Sequence, residues 1–215
     1  FALAITVFIV KKFAPSAQGH GTEKVIEAVH KNSGKINISV VPTKLFATVL
    51  TIFAGGSVGK EGAGAQIGAS LASFIAMKLN FSNRDRKKIV ICGISAGFAS
   101  VFGTPLAGAI FGVEILIVGA LMYDILLPSV VAGFSAFLVA KMFGINYTYF
   151  YIAFYSSFDF KYVLLSKVIL GGIFFGLVAD FIITTLSTLH KYVDKIKINY
   201  ILKAFFGGML LVILT

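Results

Sequence analysis

The chain has 215 residues, 58% of them hydrophobic and 13% charged, with a formal charge of +10 and a mean hydropathy of +0.93. Soluble domains carry about 25% charged residues, so this composition excludes an ordinary soluble core and calls for apolar surface facing lipid. The apolar runs are continuous rather than alternating over segments of about ten residues, which excludes a membrane β-barrel and leaves helices.

The first run, residues 1–13, reads as a membrane span, and residues 205–215 stop inside another apolar stretch. Both ends are expected to cut through helices, so that 1–215 is part of one longer transmembrane domain. Next comes a glycine turn, Gln18-Gly19-His20-Gly21-Thr22-Glu23-Lys24-Val25, leading into a short amphipathic helix over 22–31. Residues 40–54, 63–79, 89–102 and 105–118 are shorter apolar pieces interrupted by glycine and proline, whereas 123–143 and 163–189 are long enough to cross a bilayer. The last exceeds the need and is expected to tilt.

Arg84, Arg86, Lys87 and Lys88 fall in one connector, Lys191, Lys195, Lys197 and Lys203 in another, and residues 145–160 hold no Lys or Arg. That asymmetry follows the positive-inside rule and argues against nucleic acid as the partner of the positive charge. With 84–88 inside and 145–160 outside, the single span 123–143 already makes the crossing. The pair 89–102 and 105–118 is therefore expected to enter and return, as two halves of about 14 residues and about 21 Å each. Its break is Gly103-Thr104-Pro105, where proline lacks an N–H and disfavours helix at Thr104. Small residues four apart (Gly64/Gly68, Gly93/Gly97, Gly108/Gly112, Gly172/Gly176) predict close helix packing, and Tyr147-Thr148-Tyr149-Phe150-Tyr151 an interfacial aromatic belt.

The richest segment runs from Gly55 to Gly68 through Gly59-Lys60-Glu61-Gly62-Ala63. A nucleotide-binding P-loop needs Ser or Thr after the lysine, and Glu61 stands there with no preceding strand, so that reading fails. What remains is a glycine loop opening a helix near Gly62. Its backbone N–H groups can form an anion nest at a positive helix end. Glu61 at that entrance is itself an anion, able to occupy the site when ionised and leave it when protonated; the plainer reading is a helix cap or a partner of Lys60. The Gly19-His20-Gly21 turn offers a second set of backbone donors, with His20 either lining a pore or sensing pH, or else merely solvated or capping the helix. Glu114, nine residues into the returning helix, is either a proton relay or a structural hydrogen-bond acceptor. No cluster has metal-ligand spacing and no nucleophile–base set stands out, so neither a metal nor another cofactor nor an enzyme activity is expected. The single Cys92 reads as a buried structural thiol.

Taken together these segments resemble the CLC chloride channel and transporter family. Its glycine-lysine/arginine-glutamate-glycine-proline signature matches Gly59-Lys60-Glu61-Gly62, with Ala63 in place of proline. The glycines of its glycine-serine-glycine-isoleucine-proline signature match Gly19 and Gly21, with His20 at the serine position. Its Ala-Pro-Leu-Ala-Gly helix matches Thr104-Pro105-Leu106-Ala107-Gly108, followed by Glu114. The resemblance implies an all-α membrane protein, a CLC-type bundle of full-span, tilted and re-entrant half helices forming part of an inverted-repeat fold. It implies a homodimer in the cell membrane, with several passes through lipid, conducting chloride or another small monovalent anion and exchanging protons in some members. It makes Glu61 the gate and places Gly19, His20, Gly21, Gly59, Lys60, Gly62 and Ala63 about the anion. The proton-pathway glutamate of typical exchangers falls on Ile115. Phe102-Gly103-Thr104-Pro105 and Tyr123-Asp124-Ile125-Leu126-Leu127-Pro128 resemble the fluoride-transporting branch, making fluoride/proton antiport the alternative to chloride transport.

Overall fold

The computed structural model describes residues 1–56, 58–115, 123–148 and 162–214, and every regular element among them is helical. The helices are α1 (Ala2–Phe13), α2 (Thr22–Lys31), α3 (Val40–Phe53), α4 (Glu61–Lys78), α5 (Asn83–Phe102), α6 (Pro105–Glu114), α7 (Tyr123–Met142), α8 (Tyr162–Lys195) and α9 (Tyr200–Leu214), with a 3₁₀ turn at Pro15–Ala17. They fall into two units, Phe1–Tyr147 with Tyr200–Thr215, and Thr148–Asn199, which holds α8.

The centre of the larger unit is the crossing of α4 and α5. A Cβ on Gly93 would lie 2.5 Å from the carbonyl oxygen of Gly68, and one on Gly64 would lie 3.2 Å from that of Gly97. The two predicted glycine stripes therefore face each other and let the backbones touch. Gly108 and Gly112 do the same for α6. Gly108 sits over Ser95 and Ala99 and Gly112 over Ile91 and Ser95, so α6 runs back along α5. Gly172 and Gly176 meet no neighbour in this way. Val90, Ile91, Ile94, Val113 and Ile125 are almost fully buried around this crossing.

The break between α5 and α6 lies where the sequence placed it. Gly103 ends α5 with φ +72°, its N–H bonded to the Ala99 carbonyl at 2.8 Å, and Pro105 opens α6. The halves are unequal, however. α5 has 20 residues and α6 has 10, so α5 rises about 30 Å and only α6 is a short half helix. The reason is an N-cap: Ser82 Oγ accepts from the Asp85 N–H at 3.1 Å and donates to its carboxylate at 2.7 Å. Helix thus begins before the apolar run, and the 84–88 cluster lies on α5 rather than in a connector. Arg86 is buried there, donating to the Ser33 carbonyl at 2.8 Å and to Asn83 Oδ1. Lys191 and Lys195 likewise belong to α8 and Lys203 to α9, with Lys197 in the link between them.

The link from α2 to α3 is tied to α4 by serines. Ser73 Oγ donates to the Gly34 carbonyl at 2.7 Å and accepts from the Ile36 N–H at 2.9 Å, and Ser70 Oγ donates to the Asn37 carbonyl at 2.8 Å. On the open side of α2, Glu27 bridges Lys24 and Lys31, and these bonds hold its carboxyl below the usual carboxylate range. Lys88 and Asp124 join α5 to α7 at 2.5 Å.

Two of the described helices are long and apolar enough to cross a membrane, Tyr123–Met142 and Leu164–Lys195 within α8. The expected run over 1–13 is helical as α1, Ala2–Phe13. At 34 residues α8 is longer than a span requires. Tyr149, Phe150 and Tyr151 of the expected aromatic belt lie outside the described residues. Tyr147 packs inward, its hydroxyl donating to the Ser100 carbonyl at 2.8 Å and its ring stacking on Phe137.

Candidate functional site

The predicted glycine turns, forty residues apart in the chain, meet in space. Gly21 adopts φ +98° and precedes α2, and Glu61 is the first residue of α4. A Cβ on Gly21 would lie 2.7 Å from the Gly62 carbonyl oxygen, and one on Gly62 would overlap the carbonyl of His20. Only glycine at both positions allows this approach.

Each helix start also leaves N–H groups without an intrahelical partner. The first recorded bonds of the two helices run from the Val25 N–H to Gly21 O at 3.1 Å and from the Gly64 N–H to Lys60 O at 3.0 Å. The three residues before each, Thr22 to Lys24 and Glu61 to Ala63, carry the positive ends of the helix dipoles.

Beside this junction lies a cavity of about 650 Å³. Gln18, Gly19, His20, Gly59, Glu61, Gly62 and Ala63 line it, together with Thr6 and Lys11 of α1, and Lys44, Thr48 and Thr51 of α3. Phe98 and Phe111, stacked at 4.3 Å between α5 and α6, form its apolar side. Glu61 is exposed in the cavity and folds back over Gly59, where a Cβ would overlap its carboxylate oxygen. The α4 N-terminus has no side-chain cap bond, and the ion pairs among the described residues do not include Lys60 with Glu61. The cap and the lysine partner are therefore not what the geometry records for this carboxylate.

Three expected residues stand apart from the cavity lining. Gly21 lies buried behind it, Lys60 is exposed at the helix cap, and Glu114 is exposed at the far end of α6. Glu114 makes no recorded bond with the described residues, so the structural-acceptor reading has no partner there.

Two residues not singled out from the sequence shape the site. Lys44 is 7% exposed, and its Nζ donates to the carbonyls of Ala17 at 2.9 Å and Gly19 at 2.6 Å. Gln66 is 1% exposed and its Nε2 donates to the Ser16 carbonyl at 2.9 Å. The signal for Lys44 was a lone lysine inside the apolar run 40–54, since intramembrane charges default to function. Gln66, one polar residue in a small-residue helix, carried no comparable signal. Among the described residues of the lining, Lys11 and Lys44 are the lysines and Glu61 is the one carboxylate.

The voltage gated chloride channel family is matched over residues 2–215. A chloride/fluoride channel protein of Pseudomonas syringae pv. tomato is 36% identical over 193 residues, covering 90% of this chain and 42% of that protein. The voltage-gated ClC-type chloride channel ClcB of Yersinia pseudotuberculosis is 36% identical over 117 residues, 54% of this chain and 28% of its own. Among solved structures, a CLC-type fluoride/proton antiporter superposes with a TM-score of 0.89 at 25% identity, over 98% of this chain and 52% of the other. A slow cyanobacterial Cl⁻/H⁺ antiporter gives a TM-score of 0.80 at 21% identity, over 97% and 48%, a likeness of fold. The chain spans about half the length of these structural relatives.

Proposed function

The chain belongs to the voltage gated chloride channel family, and from that membership we propose that it forms one side of a transmembrane anion path, gated by Glu61. The observation that carries this reading is the meeting of two glycine-flanked helix N-termini at a cavity where Glu61 is the one carboxylate among the described lining residues. Helix N-termini attract anions through free N–H groups and their dipole ends, and Lys44 and Lys11 add positive charge. An anion entering this cavity competes with the Glu61 carboxylate for the same donors. Protonation removes the competitor, so flux rises as pH falls. His20 lines the same cavity, which makes His20→Asn the companion variant.

The transported species is chloride or another small monovalent anion, and the setting is a multi-pass homodimer in the cell membrane. A second reading, fluoride/proton antiport, is favoured by the TM-score of 0.89 to a fluoride/proton antiporter and by the name of the Pseudomonas relative. His20 in place of the family's serine supports it as well. Liposomes bearing the full-length protein, loaded with chloride or fluoride and monitored for proton flux, test both. Anion flux without proton movement supports a channel, proton movement driven by a fluoride gradient supports antiport, and no anion flux of either kind rejects both.

A further inference from the structure

We propose that Lys44 and Gln66 set anion selectivity by clamping the loop at the edge of the cavity, Lys44 taking up two of its lining carbonyls and Gln66 anchoring the residue before them. This deepens the reading of that cavity as an anion path and rests on it. The segment Ser16 to Gly19 runs along the cavity edge, with Ala17, Gln18 and Gly19 in its lining. A loop exposes carbonyl oxygens as readily as N–H groups, and carbonyl oxygens repel an anion and coordinate cations. Two of these lining carbonyls are taken up from α3, where Lys44 Nζ donates to Ala17 O and Gly19 O, while Gln66 Nε2 of α4 donates to Ser16 O, one residue before the lining, and anchors the segment there.

Both side chains hold positions that chemistry alone would disfavour. Lys44 belongs to the buried stripe Val40, Lys44, Ala47, Thr51 of α3, where an apolar residue would suit the packing. Its ammonium has no carboxylate partner among the described ion pairs, and a buried charge without a partner is costly. Gln66 points its amide N–H₂ at Ser16 O and leaves Oε1 without a hydrogen bond, the one such buried side-chain atom among the described residues. Turning the amide over would bring two oxygens together. Gly21 lies against that same oxygen, where a Cβ would sit 2.8 Å away, so the loop and the glutamine are fitted to each other. A charge and an unpaired acceptor are thus retained so that the loop shows the cavity its donors and hides its acceptors.

The test uses the full-length protein, purified and titrated with chloride and with fluoride by calorimetry, and reconstituted for anion-to-cation permeability. Lys44→Met removes charge and clamp, and Gln66→Leu removes the clamp without touching charge. Lys44→Arg restores both, and Ser73→Ala deletes a buried bond of α4 away from the cavity. Anion affinity is expected to fall by about tenfold or more in Lys44→Met and about fivefold in Gln66→Leu, in line with charged and neutral hydrogen bonds respectively. Cation permeability should rise in both, while Lys44→Arg stays near wild type and Ser73→Ala changes stability alone. Loss in Lys44→Met with no change in Gln66→Leu would assign the effect to charge and overturn the clamp, as would wild-type selectivity in both. Where Lys44→Met does not fold, Gln66→Leu decides by itself. A wild-type protein that neither binds nor passes anions removes the anion path, and this inference with it. A wild-type protein that passes anions with selectivity indifferent to both variants removes this inference alone.

Discussion

Gly62, the second residue of α4, lies so close to His20 that a Cβ at Gly62 would overlap the His20 carbonyl oxygen. Two chain segments that carry the candidate anion site are thereby pressed backbone to backbone, and the shape of the cavity depends on that contact.

Gly62→Ala should separate the two loops. Overpacking of this kind costs about 1–3 kcal/mol, and the displaced His20 loop should weaken anion binding more than the stability loss alone accounts for. Thermal unfolding with anion titration measures both. An alanine variant with unchanged affinity would mean that the contact does not shape the site.

The crossing of α4 and α5 should be equally intolerant of bulk. A Cβ on Gly97 would overlap the Gly64 carbonyl, with no flexible side chain to give way. Gly97→Val is expected to destabilise the full-length protein by about 3 kcal/mol or prevent its purification as folded protein. A melting temperature within a degree or two of wild type would contradict this.

At the turn between α5 and α6, Gly103 combines φ +72° with a position where a Cβ would lie 2.5 Å from the Tyr147 ring. Gly103→Ala should cost about 2 kcal/mol through backbone strain and ring displacement. Tyr147→Phe should cost about 1 kcal/mol, the net worth of one hydrogen bond to the Ser100 carbonyl. Denaturant unfolding of the two variants and their double would show coupling, because the same ring is involved in both.

The Lys88–Asp124 pair is half open to solvent, with side chains 32% and 53% exposed. A double-mutant cycle with Lys88→Met and Asp124→Asn should return a coupling close to zero, as for other exposed pairs. A large coupling would show that the pair locks α5 to α7 more firmly than an exposed bridge can.

Much of this architecture was legible in the sequence wherever the signal was local. Gly103-Thr104-Pro105 marked the break, the four-residue glycine spacing in α4 and α5 marked their contact, and Glu61 stood at a helix start. Other features needed the fold. Lys44 meets Ala17 and Gly19 across more than twenty residues, and Gln66 reaches Ser16 across fifty, so no local pattern announced either bond. The start of α5 was legible but outweighed. The Ser82/Asp85 cap was present, yet the basic cluster after it read as a connector, and the Arg86 bond to Ser33 could not be seen without the structure.

The central claim is that Glu61 competes with the anion for one set of backbone donors. Its most direct test is the pH dependence of anion flux through liposomes bearing full-length wild-type protein, Glu61→Gln or His20→Asn. The account predicts flux that rises with acidity in wild type and His20→Asn, and flux that is high and nearly independent of pH in Glu61→Gln. A Glu61→Gln protein with the flux and pH response of wild type would contradict it.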